Sequence, residues 1–406
     1  MKKIAIIGGG ASGLMAALFA ARSGADVTIY EHNSGVGKKI LASGNGRCNI
    51  INTTSSADDY AGADPHFVTY ALKQLSFGYF EKFCSSIGLI LEIKEDGRCY
   101  PLSNEAKSVL IALKSAVSEA RVHICTDTSV RSISKKDTHF IVETNSGKSV
   151  YDKVLIATGS EAAPQLGATA DGYNFAKKFG HEILPTYPSL VQLHLNSKNH
   201  HKMAGVKTTA EVTLIIDGKS KEKIQGDILF AAYGISGLAI LDISQKASYA
   251  LHNKQRVSIA LNLLPRYDRA TLANVIEKLF ASVPKHDVHT ALCGIIPAKI
   301  TTYLLEDAAV PLSTTVSALN PKEIKKIAHL IGEWKFEVND THGFKHAEVS
   351  GGGVSTAQIS NKTMESKLVE GLYFAGEVLD IVGKRGGYNF NFAWASGMIA
   401  GKEMAK

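Results

Sequence analysis

The stretch from Lys3 to Gly13, reading KIAIIGGGASG, limits the possible folds of this chain more than any other feature. Residues 3–7 form a short apolar run rich in Ile, as a buried strand does when glycines follow at once. From Ser12 to Arg22 the Ala, Leu, Met and Phe residues keep helical spacing, and Gly24 stands where a helix C-terminus closes. Residues 26–31, DVTIYE, read as a second strand ending on an acid. A strand, a helix and a strand within about 30 residues predict a right-handed crossover and a parallel sheet, hence an α/β fold. The intervening Gly8-Gly9-Gly10-Ala11-Ser12-Gly13 fits G-x-G-x-x-G in the setting that gives the pattern its meaning. Gly8 permits the tight turn, Gly10 admits a pyrophosphate against the backbone, and Gly13 lets the helix approach the strand. The helix N-terminus then offers free N–H groups and a positive dipole end, and Glu31 is placed to accept hydrogen bonds from ribose hydroxyls of an adenosine.

A chain of 406 residues exceeds one ordinary core and predicts two or three domains, one of them split by an insertion. With 45% hydrophobic and 20% charged residues the composition is that of a globular protein, and no apolar run reaches the length of a membrane span. The apolar start runs into glycines instead of a small-residue cleavage site, which points to a cytoplasmic protein. A net charge of +7 raises the question of nucleic acid, but Lys and Arg are scattered and no basic run of five occurs, so no nucleic-acid partner is expected. Cys48, Cys84, Cys99, Cys125 and Cys293 contain no C-x-x-C and fit reduced thiols; no metal site is expected.

Along the chain, residues 34–49 show neither helical nor strand period and read as a long loop. Helical spacing covers 65–88 and 103–120, strand-like segments lie near 121–126 and 139–144, and a hairpin turn falls at Asn145-Ser146-Gly147. YDKVLIATG, 151–159, is another buried strand. Around Pro185 and Pro188 the character changes to β-rich segments followed by helices from about 268 to 334, a barrel or sandwich with helices. EGLYFAGE, 370–377, returns to the buried-strand pattern and 389–406 to a helix. The reading is therefore an N-terminal part at 1–186, an inserted substrate domain at 187–345, and a C-terminal part at 346–406 that completes the first domain.

Two further segments decide between dinucleotides. VLIATGS places Thr158-Gly159 at a strand end, where backbone can pass close to a cofactor, and GLYFAGEVLD resembles the segment that in two-dinucleotide-binding-domain flavoproteins brings an acidic side chain to the ribityl and phosphate region of the flavin, which makes Glu377 and Asp380, with Gly376 beside them, the candidates. Together with the first turn they favour FAD. GKKILASGNGRCNIIN (37–52), GRCYPLSNEAKSVL (97–110), FAAYGISGLAIL (230–241), SGGGVS (350–355) and GEVLDIVGKRGGYNFNFAWASG (376–397) run in order over nearly the whole chain. On these motifs the chain resembles the BaiN-like flavoproteins, which include aminoacetone oxidases. The resemblance implies a Rossmann-type FAD-binding domain formed by both chain ends, an inserted β-barrel-containing domain, and no separate NAD(P)H-binding domain; no second G-x-G-x-x-G opens a βαβ unit here.

Within the long loop, Lys38 and Lys39 are candidates to neutralise pyrophosphate charge, and Ser43-Gly44-Asn45-Gly46 has the small polar residues of a backbone nest. Arg47 and Asn49 can hydrogen-bond the isoalloxazine or its chain; Cys48 lacks a neighbouring resolving cysteine and reads as a packed side chain beside the cofactor. Gly386, Gly387, Tyr388 and Asn389 enter the last helix, whose N-terminus would stabilise an anionic reduced flavin, with Tyr388 a candidate proton donor. Gly234-Ile235-Ser236-Gly237 is not a nucleophile elbow, and the His200-His201, His286/His289 and His342/His346 pairs read as surface histidines. The expected chemistry is hydride transfer between a small organic molecule and the flavin under a capping insert, as an oxidase or as a reductase drawing on NAD(P)H as transient donor. The rivals are a flavin-dependent RNA-modifying enzyme and a flavin-binding redox-signalling protein.

Overall fold

The computed structural model describes the backbone of residues 1–406 and the side chains of all but residues 269 and 270. Contacts divide the chain into one unit made of Met1–Tyr187 and Glu348–Lys406 and a second made of Pro188–Ala347. In the first unit β1 (Lys3–Ile7) lies at the centre of a five-stranded sheet, between β2 (Asp26–Tyr30) and the strand Lys153–Ile156. His123–Cys125 extends the sheet beyond β2, and Leu372–Phe374 extends it on the other side. All four pairings are parallel. Ile4, Ala5 and Ile6 are fully buried, so β1 can afford the continuous apolar run that a doubly covered parallel strand requires. A segment from near the C-terminus thus joins the sheet that the N-terminus begins, and the fold is the expected Rossmann type.

The helix α1 (Ala11–Arg22) packs against the C-terminal helix Tyr388–Met404. The approach depends on two glycines one helical turn apart. A Cβ on Gly397 would lie 2.4 Å from the Ser12 carbonyl oxygen, and one on Gly401 2.3 Å from that of Ala16. The hairpin expected at 145–147 joins His139–Thr144 to Gly147–Tyr151, and a third strand, Val130–Lys136, which the sequence did not announce, completes that antiparallel sheet.

The loop expected over 34–49 is shaped differently. It holds a five-residue helix, α2 (Lys38–Ala42), and a 3₁₀ turn over Ser43–Gly46. Five residues are too few to display a 3.6-residue period, so the pattern was invisible. Tertiary contact makes the helix: Ile40 is buried, and Gly37, at φ 75°, sits where a Cβ would strike Leu110 in the helix Ala106–Glu119.

The second unit contains a closed barrel, which decides between barrel and sandwich. Its strands run Leu193–Asn196, Gly234–Ser236, Lys219–Ala231, Lys207–Ile216, Val257–Asn262 and Trp334–Thr341, and the last pairs back onto the first. Ala210, Val212, Leu214 and Ile216 alternate inward along one strand. Helices follow from Arg269–Ser282 to Pro321–Gly332, the latter opened by an Asn320/Glu323 capping box. Among the described residues no helix is long and apolar enough to cross a membrane.

Candidate cofactor site

The turn from β1 to α1 separates glycines the protein itself needs from one it does not. Gly8 has φ 107° and its Cβ would fall 2.5 Å from the Ala157 carbonyl oxygen. A Cβ on Gly9 would meet Val36 at 2.4 Å, and one on Gly13 the Gly8 carbonyl oxygen at 2.0 Å. Gly10 is different. Its φ of −80° suits any residue, and a Cβ there would meet nothing within 4 Å. What Gly10 keeps open is space beside the N-terminus of α1, a helix without a side-chain cap and without an acid in its first turn. An anion with an extended backbone-hugging shape fits that space, and no group of the protein fills it.

Glu31 is buried, at 6% exposure. Its Oε2 accepts the Gly9 N–H at 2.9 Å, and its Oε1 accepts the Asn33 N–H at 2.9 Å and Asn33 Nδ2 at 2.8 Å. Oε2 therefore retains lone-pair capacity for a ribose hydroxyl. Thr158 and Gly159 follow the strand Lys153–Ile156 on the same side of the sheet as this turn, with Ala157 donating its N–H to the Ile7 carbonyl at 2.9 Å. Gly159, at φ 74°, likewise faces open space. Ser12 turns its hydroxyl to the Ala375 carbonyl, 3.3 Å away, so its backbone N–H and not its side chain is what it offers a phosphate.

Farther along, residues 43–49 and the start of the C-terminal helix converge. Gly44 and Asn45 are consecutive left-handed residues, and Cys48 is left-handed at φ 58°. Ser43 donates its hydroxyl to the Ile40 carbonyl at 2.7 Å, and Arg47 lies over the Tyr100 ring, 5.5 Å from its centroid. Gly387, at φ 97°, caps the C-terminal helix and sits so close to the Ile51 carbonyl and to Asn49 Oδ1 that a Cβ would fall within 2.9 Å of each. Asn49 Oδ1 and Asn391 Oδ1 are both buried with no hydrogen-bond partner. Buried amide oxygens seek donors. Two such acceptors beside an uncapped helix N-terminus match a flat heterocycle that carries both an N–H and carbonyl oxygens, as an isoalloxazine does. The residues present therefore fit FAD: the α1 turn for pyrophosphate, Glu31 for ribose, and the 43–49 and 386–391 segments for the ring. Asn391 was not among the residues singled out from sequence; the repeated Asn at 389 and 391 was the only signal.

Several expected ligands are engaged within the protein. Lys39 donates to Glu377 Oε2 at 2.7 Å, and Glu377 Oε1 accepts from Ser160 Oγ at 2.7 Å and the Ser350 N–H at 2.9 Å. Lys38 donates to Asn33 Oδ1 at 2.7 Å. Both lysines are held by the chain itself, Lys39 because the largely buried Glu377 carboxylate must find donors and Lys38 by the Asn33 amide oxygen. Removing them from one another is costly. Glu377→Ala is expected to lower stability by about 2 kcal/mol, since a cation and two donors lose their acceptor; a thermal melt unchanged within about 1 °C would contradict this, given that 1 kcal/mol shifts a midpoint by a few degrees. Asp380 Oδ2 takes the Ala63 N–H at 2.7 Å, and burial raises its pKa. Asn389 closes its own turn, accepting the Gly383 N–H at 2.8 Å and donating to the Gly383 carbonyl at 2.9 Å. Gly376, at φ 76°, donates its N–H to Ser396 Oγ at 3.0 Å. Gly386 has φ 122°. Tyr388 is half-buried, its ring edge-on to Tyr60, whose hydroxyl donates to the Tyr388 carbonyl at 2.9 Å.

Cys48 is fully buried and burial pushes its thiol up to about 11. A thiol so protonated is a poor nucleophile. Iodoacetamide at pH 8 is accordingly expected to leave Cys48 unmodified in the folded protein, and Cys48→Ala to keep its flavin; rapid alkylation at Cys48, read by peptide mass, would refute this.

Comparison with known proteins shows the family and the fold. The family model described as the HI0933-like protein Rossmann domain matches residues 2–403. A 3-dehydro-bile acid delta(4,6)-reductase of Clostridium scindens is 34% identical over 408 aligned residues, covering 100% of both chains. A ribosomal RNA dihydrouridine synthase of Haemophilus influenzae is 32% identical, covering 96% of this chain and 95% of that protein. Among solved structures, a 3-ketosteroid delta1-dehydrogenase of Sterolibacterium denitrificans aligns over 100% of both chains with a TM-score of 0.52 at 12% identity, a likeness of fold.

Proposed function

Because the chain belongs to the HI0933-like Rossmann family, we propose that it is an FAD-dependent reductase that saturates a carbon–carbon double bond conjugated to a carbonyl in a small organic molecule, with NAD(P)H as transient electron donor. The observation that carries the cofactor is the open space over Gly10 at the uncapped N-terminus of α1. The reaction is supported by what the relatives' names share. A delta(4,6)-reductase acting on a 3-dehydro-bile acid and a synthase of dihydrouridine both remove a double bond in conjugation with a carbonyl, although one substrate is a steroid acid and the other is RNA. Bound FAD supplies a two-electron carrier. The chain's part is to hold it, to exclude water and to deliver a proton to the carbon that does not receive the hydride. The inserted unit is the substrate domain in this reading.

The test is anaerobic mixing of the FAD-loaded protein with NADH or NADPH, then with a 3-oxo-4-ene steroid acid, a ribosomal RNA fragment, or oxygen. Bleaching by a nicotinamide followed by reoxidation with the enone supports the proposal. Reoxidation by RNA alone would make the chain an RNA-modifying enzyme, and fast reoxidation by oxygen alone, after reduction by amines, an oxidase. The RNA reading draws on two relatives of the dihydrouridine synthase kind, 32% and 31% identical.

A further inference from the structure

Arg47 and Arg98, both in the first unit, meet at the Tyr100 side chain. Arg98 and Tyr100 stand two residues apart on the strand Arg98–Pro101 and so share one of its faces. That strand pairs through Cys99 and Arg98 with Ile51 and Asn52, which follow the 43–49 turn. Arg47 comes from the turn itself, its Nε donating to the Gly44 carbonyl at 3.3 Å and its guanidinium 5.5 Å from the Tyr100 ring centroid. The cluster borders both segments assigned to the flat heterocycle. A Cβ on Gly44 would fall 3.9 Å from Tyr100 Cε1, and one on Gly386 3.6 Å from Arg98 Cδ. Asn52, opposite Arg98 in the strand pairing, donates its Nδ2 to the Gly386 carbonyl at 3.0 Å.

The charges of this cluster are not balanced within it. Arg98 Nε donates to Asp96 Oδ2 at 2.6 Å. That bond holds the Asp96 carboxyl below its usual range and raises the Arg98 pKa, to which the neighbouring Tyr100 adds. Lys384, two residues before Gly386, is held by Asp59 at 2.9 Å. Arg47 differs from both. Its Nε is engaged with a neutral carbonyl, and its terminal nitrogens have no acceptor among the described residues. Two guanidiniums and one carboxylate leave an excess of one positive charge beside Tyr100, a residue only 7% exposed. Such charges repel more strongly as water is displaced from around them. A singly charged, planar anion offsets the excess, and a guanidinium takes a carboxylate through two parallel N–H···O bonds.

We propose that Arg47, supported by Arg98 through Tyr100, binds a carboxylate on the molecule that the flavin reduces, and so makes the enzyme specific for an acid that carries the conjugated double bond. This rests on the reductase reading. Arg47 is the direct ligand, through its unengaged terminal N–H groups. Arg98 is a positioning residue: tied to Asp96, it fixes the Tyr100 ring over which Arg47 lies. The acid end is anchored here and takes no part in the bond changes. Its contact therefore contributes equally before and during hydride transfer, and is read in KM more than in kcat.

The experiment uses the FAD-loaded full chain with NADH or NADPH, and compares a 3-oxo-4-ene steroid acid with its carboxamide, which keeps the enone and the shape but loses the charge. The wild type is expected to show a KM for the acid at least about 10-fold below that for the amide, the worth of a charge-assisted hydrogen bond. In Arg47→Gln this preference should disappear, with KM moving more than kcat. Arg47→Lys, which keeps the charge and loses the planar fork, should recover part of it. Independently of turnover, benzoate titrated into the oxidised, FAD-loaded protein should perturb the flavin absorbance and bind at least about 10-fold more weakly in Arg47→Gln. Equal KM values for acid and amide in the wild type, or a preference that survives Arg47→Gln, would overturn the proposal. Loss of FAD affinity in Arg47→Gln with the preference intact overturns it too, and assigns Arg47 to the cofactor. If the wild type reduces neither compound, the reductase reading fails and benzoate decides alone: binding that depends on Arg47 keeps the anion site, and binding indifferent to the substitution, or none, rejects it.

Discussion

Gly10→Val is expected to fold normally and to lose FAD. The backbone at position 10 lies at φ −80° and ψ −168°, an extended conformation Val accepts, and the first side-chain carbon would meet no protein atom within 4 Å. The cost to folding is that of a poor helix N-cap, about 0.5–1 kcal/mol. The cost to binding is the loss of the space a pyrophosphate needs against the helix N-terminus, and affinity should fall at least about 100-fold, or about 2.7 kcal/mol. Titration of the apoprotein with FAD, followed by quenching of flavin fluorescence, measures this directly. Unchanged affinity in a variant with a native circular dichroism spectrum would remove the phosphate from this turn.

Gly397→Val attacks the same unit from the other end of the chain and should do the opposite, unfolding it whether or not FAD is supplied. The new side chain would begin 2.4 Å from the carbonyl oxygen of Ser12, which belongs to α1 and cannot move without dragging the cofactor turn with it. Overpacking against backbone is at the costly end of such changes, about 3 kcal/mol or more. Gly78→Ala provides the contrast. That residue lies in the helix Phe77–Ser86, with nothing within 4 Å of its added carbon and no left-handed φ, so the substitution should stabilise the protein by about 0.5–1 kcal/mol. Thermal melts of the two variants moving in the same direction would contradict the account of the helix pair.

The Gly10 and Gly397 variants also separate what was legible in the sequence from what was not. Gly8, Gly10 and Gly13 announced themselves because strand, turn and helix are contiguous, and each element has a short-range period that a linear reading detects. Gly397 and Gly401 carry an equally strict requirement, yet in sequence they are two small residues inside a helical run. Their partner is a helix more than 370 positions away. Lys39 and Glu377 are a similar case. Read singly, a lysine in a glycine-rich loop and an acid after a buried strand each point toward the cofactor; placed 2.7 Å apart they satisfy one another, and Ser160 and Ser350 complete the carboxylate's shell. Asn389 was singled out for the cofactor, and its side chain accepts the Gly383 N–H and donates to the Gly383 carbonyl, contacts that a linear reading does not show.

By itself the sequence determined the β1–α1–β2 unit with its glycine-rich turn and the return of the C-terminal segment to the Rossmann pattern. These follow from periodicity and from glycines at fixed short spacing, which are local properties. Only the tertiary structure decided that the β-rich segments close into a barrel, that Asn49 and Asn391 are left as unpartnered acceptors beside one helix end, that Lys39 is held by Glu377, and that His194, Tyr233 and His342 stack into one cluster. Each of these depends on which distant groups come within a few ångströms of one another. Burial then forces every polar group among them to find a partner or to wait for a ligand.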